Sequence, residues 1–171
     1  MIGELIRNIL RFILFTLIQV VIVKHLDLGS FINPFLYVIC ILMLPINMDK
    51  GWVMATAFAI GLVVDMFYNT MGINAAACVF MAYCRPGILR LIAPKGEYET
   101  TARPTLSSMG LVWVVSYSGA LVFIHHLLLF YLEAFTFASF FTTLAKVIVS
   151  SVFTVALILL SQVFMQKTST R

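Results

Sequence analysis

The chain has 171 residues, of which 62% are hydrophobic and only 11% charged, with a net charge of +4. Ordinary soluble domains carry roughly 25% charged residues, and a soluble domain of this length could not conceal so much apolar surface, so lipid must cover much of it. The positive balance says little about nucleic acid, because the basic residues sit at the ends of apolar runs, where they set topology.

Those runs are long. No charge occurs between Asp27 and Asp49 or over 66–84, residues 104–132 contain only His125 and His126 as basic side chains, and 147–166 are bare up to Lys167. About 20 apolar residues are what an α-helix needs to cross ~30 Å of hydrocarbon, where backbone polar groups must be satisfied within the segment. Six transmembrane helices are predicted, at about 5–24, 31–47, 51–67, 72–92, 109–132 and 140–166. The first has Arg7 and Arg11 before an apolar core, like a signal peptide. Lys24-His25-Leu26-Asp27 stands where a small-residue cleavage site would be needed, so it is read as an uncleaved span. The second is short, beginning near Asn33-Pro34 and ending or kinking at Pro45. Cys40, Cys78 and Cys84 all lie inside apolar runs without a CxxC pair and read as small core residues.

The distribution of Lys and Arg orients the bundle. With the N-terminus inside, the inner face receives Arg7, Arg11, Lys50, Arg85, Arg90, Lys95, Arg103, Lys167 and Arg171, and the outer face only Lys24 and Lys146. Nine against two is a strong positive-inside signal. The expectation is one all-α domain over 1–171 in the bacterial inner membrane, multi-pass, with both termini cytoplasmic. One cytoplasmic loop, at about 85–108, holds three prolines and mixed charge.

Five ionisable residues fall in the outer half of this arrangement or at its boundary: Asp65, His125, His126, Glu133 and Lys146. Such groups within spans usually face the bundle and pair. The sharper reading clusters Asp65 with Lys146 or a histidine; Lys146 could equally snorkel to the outer headgroups, and Glu133 reads as a loop residue. Asp65 lies some 13 residues beyond Trp52, ~20 Å along a helix axis, which favours burial. His125 and His126 point about 100° apart on a helix and cannot share one ion, so no metal site is expected. No cofactor is expected either, and the absence of serine-nucleophile, phosphate-loop and paired-carboxylate motifs argues against an enzyme.

The segment from Gly61 through Asp65 to Gly72-Ile-Asn74-Ala75-Ala76-Ala77 is the most individual part of the chain. Gly61 lets another helix approach the face that presents Asp65, the Asn69–Gly72 stretch forms a tight turn, and the three alanines open a close-packing face. This G-L-x-x-D … G-x-N-A pattern resembles that of the rod-shape-determining protein MreD family. The resemblance covers the whole chain, including Gln19 in the first span. It is nearest the Bacteroidetes branch in Ile32-Asn-Pro-Phe-Leu-Tyr37, Leu44-Pro45, Phe80-Met-Ala-Tyr83-Cys-Arg-Pro86, Tyr98-Glu-Thr and Ile124-His-His-Leu127. It implies a non-enzymatic part of the cell-elongation machinery. The implied partners are the single-span protein MreC and also MreB, RodA and penicillin-binding protein 2, besides membrane lipid and a second copy of the chain. It further implies the fold of the substrate-binding subunits of energy-coupling-factor vitamin transporters. The alternative function is therefore a small-molecule-binding membrane subunit, although the large residues of the first span contrast with the alanine coupling surface of those subunits.

Overall fold

The computed structural model describes residues 2–22, 32–94, 98, 102–136 and 139–169, and all their regular structure is helical. α1 (Ile2–Leu17) runs into a π-helical turn (Ile18–Ile22). A 3-10 turn (Leu36–Val38) leads into the one-turn α2 (Ile39–Leu42). There follow α3 (Lys50–Tyr68), α4 (Ile73–Leu91), the single turn α5 (Leu106–Met109), α6 (Leu111–Ala134) and α7 (Phe140–Ser169). Among the described residues, three helices are long and apolar enough to cross a membrane: α3, α6 and Phe140–Met165 of α7. α4 equals α3 in length but is diluted by Asn74, Arg85 and Arg90. The apolar part of the first helix is shorter, Leu10–Val21.

Local chemistry explains where α3 and α4 start and stop. Asp49 caps α3, its Oδ1 accepting the Gly51 and Trp52 N–H groups at 2.9 and 3.4 Å, which satisfies two of the orphan donors of a helix N-terminus. Asn69 ends α3 at φ +54° and Gly72 opens α4 at φ +84°, the left-handed region that Asn and Gly tolerate best. The two helices fold back so closely that a Cβ on Gly61 would fall on the Ala75 backbone and lie 2.8 Å from the Asn74 carbonyl oxygen. α4 then packs on α6, and α6 on α7.

The helix expected over 31–47 is not continuous. Ile32–Phe35 has no regular structure, and only seven residues, Leu36–Leu42, are helical. At 1.5–2.0 Å per residue that is ~12 Å, under half of a membrane's hydrocarbon thickness. Tyr37, Val38, Ile39 and Ile41 are nonetheless fully buried. The run is apolar because protein covers most of it, leaving Cys40 partly exposed and Pro45 exposed. Prolines bound it: Pro34 offers no N–H, and Pro45 cannot extend the helix. The loop expected from residue 85 also begins later, because Arg85, Pro86 and Gly87 lie within α4.

Candidate functional site

Buried irregular backbone survives only where other groups satisfy its N–H and C=O groups, and polar side chains from four helices converge on the 32–45 segment for that purpose. Gln19 in the π-helical turn accepts the Leu36 N–H at 2.6 Å and donates to the Pro34 carbonyl at 3.2 Å and to Tyr68 Oη at 2.8 Å. On α7, Ser150 accepts the Asn33 N–H at 3.0 Å and Thr154 the Phe35 N–H at 3.2 Å. At the other end, Arg85 on α4 donates from Nη2 to the carbonyls of Leu44 (2.6 Å) and Pro45 (3.2 Å), and from Nε to Tyr117 Oη (2.6 Å). Tyr117 donates its own hydroxyl to the Leu42 carbonyl at 3.1 Å. Arg85 is only 2% exposed, and no carboxylate pairs with it among the described residues. Its charge is met by carbonyl dipoles at the end of α2, a favourable place for a cation.

At the α3–α4 turn stands the opposite charge. Asp65 is 3% exposed and surrounded by donors: the Thr70 hydroxyl, the Asn74 N–H at 3.0 Å, Asn74 Nδ2 at 3.1 Å and the Ala75 N–H at 2.9 Å. These donors are the turn and the first residues of α4. The carboxylate therefore staples α3 to the positive end of the next helix, the usual locus for an anion. The expected pairing with Lys146 or a histidine is corrected by this geometry. Lys146 instead lies 3.7 Å from Glu133, at the end of α6, and 4.5 Å over the Phe130 ring. Helix dipole and backbone donors hold Asp65 where the sequence offered only side-chain cations as partners.

The two histidines separate as their helical spacing requires. Because Asp65 only accepts, Asn74 must turn its amide nitrogen toward it, leaving Asn74 Oδ1 to accept the Tyr37 hydroxyl at 2.9 Å. Tyr37 Oη then accepts from Nε2–H of His125 at 3.0 Å, so the ring carries its proton on Nε2. Its Nδ1 has no hydrogen-bond partner among the described residues. His126 is fixed the other way. Its Nδ1–H donates to the Val122 carbonyl at 2.9 Å and its Nε2 accepts from Thr154 at 3.2 Å. Cys78 Sγ stands 3.8 Å from both Tyr37 Oη and His125 Nε2.

Of the residues singled out from sequence, the structure joins Gly61, Asp65, Gly72 and Asn74 in one hairpin, links His125 to them through Tyr37, and holds His126 in a separate contact with α7. Lys146 stands apart from this network. Sequence reasoning gave no role to Thr70, Tyr117, Ser150 and Thr154, used Tyr37 only as part of a motif, and set Arg85 among the inner-face cations where the structure buries it. Arg85 carried a further signal, a guanidinium set in a run of apolar and small residues.

Beside this network, and sharing Asp65 and Thr70 with it, lies an open groove of about 1140 Å³ along α3 and α4, lined also by Leu128 of α6. Phe58, Leu62, Asp65 and Met66 line it from α3, and Ala75, Ala76, Val79, Phe80 and Tyr83 from α4, with Gly72 and the small residues at the end nearest the turn. Such a surface offers shape and one charge for binding. No family model, curated protein or solved structure matches the chain.

Proposed function

We propose that this protein is a non-enzymatic integral component of the bacterial cell-elongation machinery, holding the membrane segment of a partner against its α3–α4 hairpin. The observation that carries the reading is the groove: small residues at its turn end, large apolar walls, and a position on the surface of a bundle with three helices long and apolar enough to cross a membrane among the described residues. In lipid, helices associate through close packing at small residues and through intramembrane hydrogen bonds, since hydrophobicity gives no preference between a helix and a lipid tail. The motif resemblance supplies the setting. The partner is MreC, with MreB, RodA and penicillin-binding protein 2 in the same assembly. The chain crosses the inner membrane six times with both termini cytoplasmic, and the interrupted 32–45 segment serves as the second crossing.

Complementation of a deletion strain tests this. Loss of the gene is expected to round or widen rod-shaped cells, and affinity purification of the wild-type protein to recover MreC. Normal shape after deletion, with a vitamin and an ATPase module recovered on the protein, would replace this reading with the transporter subunit.

A further inference from the structure

We infer that the α3–α4 groove takes a single membrane helix presenting a hydrogen-bond donor, a hydroxyl or an ammonium group, to Asp65. This rests on the reading of the chain as a partner-binding protein and names the chemistry of the partner. Three observations carry it. The first is charge. Asp65 has no cation against it among the described residues, and the end of α4 supplies only about half a positive charge. The second is valence. Asp65 Oδ1 takes three donors while Oδ2 takes only the Ala75 N–H, so the acceptor capacity left on the carboxylate is at Oδ2. Asp65 lines the groove, so the groove is where a further donor would come from.

The third observation is the wall. Phe58, Met66, Met71 and Phe80 line the groove and are all strongly exposed. Aromatic and methionine side chains are the surfaces that binding interfaces favour, the thioether adapting its shape to the partner. Along α3, from Phe58 to the end of the helix at Tyr68, the groove follows ~15 Å of axis, nearly three helical turns. Its turn end, where Ala76 is exposed, lets a helix backbone come close. A lipid tail could lie in such a groove but would bring no donor to the depth of Asp65.

The test uses the purified full-length protein in lipid nanodiscs and synthetic single-span peptides of leucine and alanine. One series carries a serine or lysine at successive positions, and the control has leucine throughout. The expected result is binding that peaks when the donor sits at the depth of Asp65, about threefold tighter than the control for serine, the size of an average intramembrane hydrogen bond. Ala76→Trp should abolish binding of every peptide, whereas Ile148→Trp, on an exposed face of α7, should leave it intact. Binding independent of the donor's position overturns the inference, as does equal loss in Ile148→Trp. Retention of phospholipid by the wild type but not by Ala76→Trp, with no peptide bound, assigns the groove to lipid and overturns it too. These outcomes are read without reference to cell shape, so a failed groove is distinguishable from a failed assignment to the elongation machinery.

Discussion

Asp65 is where a single side chain decides most. Four donors converge on it at the α3–α4 turn, and a buried donor left without its acceptor costs ~1–3 kcal/mol. Asp65→Ala removes the acceptor of all four, leaving Asn74 Nδ2 only its bond to Thr70 at 3.0 Å, and is expected to lower stability by about 3 kcal/mol, measured by denaturant titration of the protein in detergent micelles. Asp65→Asn keeps the volume but turns an amide nitrogen toward either the Asn74 or the Ala75 N–H. It should cost less, about 1–2 kcal/mol, and still be clearly resolved. Glu133→Ala provides the contrast. Glu133 is half exposed and meets Lys146 at 3.7 Å, and exposed pairs contribute little, so the change should stay within ~0.5 kcal/mol. Gly61 is as exacting as Asp65 for a steric reason. Any Cβ meets the Ala75 and Asn74 backbone, which cannot move aside as a side chain would. Gly61→Ala is expected to separate α3 from α4 at a cost of ~1–3 kcal/mol, and a cysteine pair placed across the hairpin should then form its disulfide more slowly.

The element with the least ordinary design is the buried segment from Ile32 to Pro45, a helix of barely two turns carried by other helices' side chains. Its entry depends on Gln19, whose amide serves the Leu36 N–H and the Pro34 carbonyl together. Gln19→Leu keeps the bulk and removes both functions. The expected consequence is a loss of ~2 kcal/mol or more, with faster hydrogen exchange at the Leu36 amide and little change in α6 or α7. At its exit, Tyr117→Phe withdraws the donor to Leu42 and the acceptor of Arg85 Nε, and ~1–2 kcal/mol should be lost. The elements legible in sequence were those whose own composition dictates them. α3, α6 and α7 are long, apolar and bounded by charge or turn residues, and their observed limits fall within a few residues of those expected. The 31–47 segment has the same apolar composition, and there reading by hydropathy failed. Hydropathy reports that a segment avoids water, and it does not distinguish lipid from surrounding protein.

For the whole molecule, the proposed orientation makes a direct prediction. In a background with Cys40, Cys78 and Cys84 replaced by alanine, cysteines at the exposed positions Met71 and Ala93 should label from opposite sides of the membrane. Met71→Cys should react with an impermeant reagent in intact cells and Ala93→Cys only after lysis, because α4 separates them and the basic clusters belong on the cytoplasmic side. Labelling of both from one side would break the alternation. The sequence by itself determined an all-helical chain with spans long and apolar enough for a membrane, and it marked Gly61, Asp65, Gly72 and Asn74, because length, hydropathy and glycine requirements are local properties. Only the tertiary structure decided how the buried charges are satisfied. Asp65 is held by the start of α4, Arg85 by the carbonyls that follow α2, and Lys146 by Glu133. Backbone dipoles are invisible in a string of side chains, so charges that seem to require a partner of opposite sign can be held by the end of a helix.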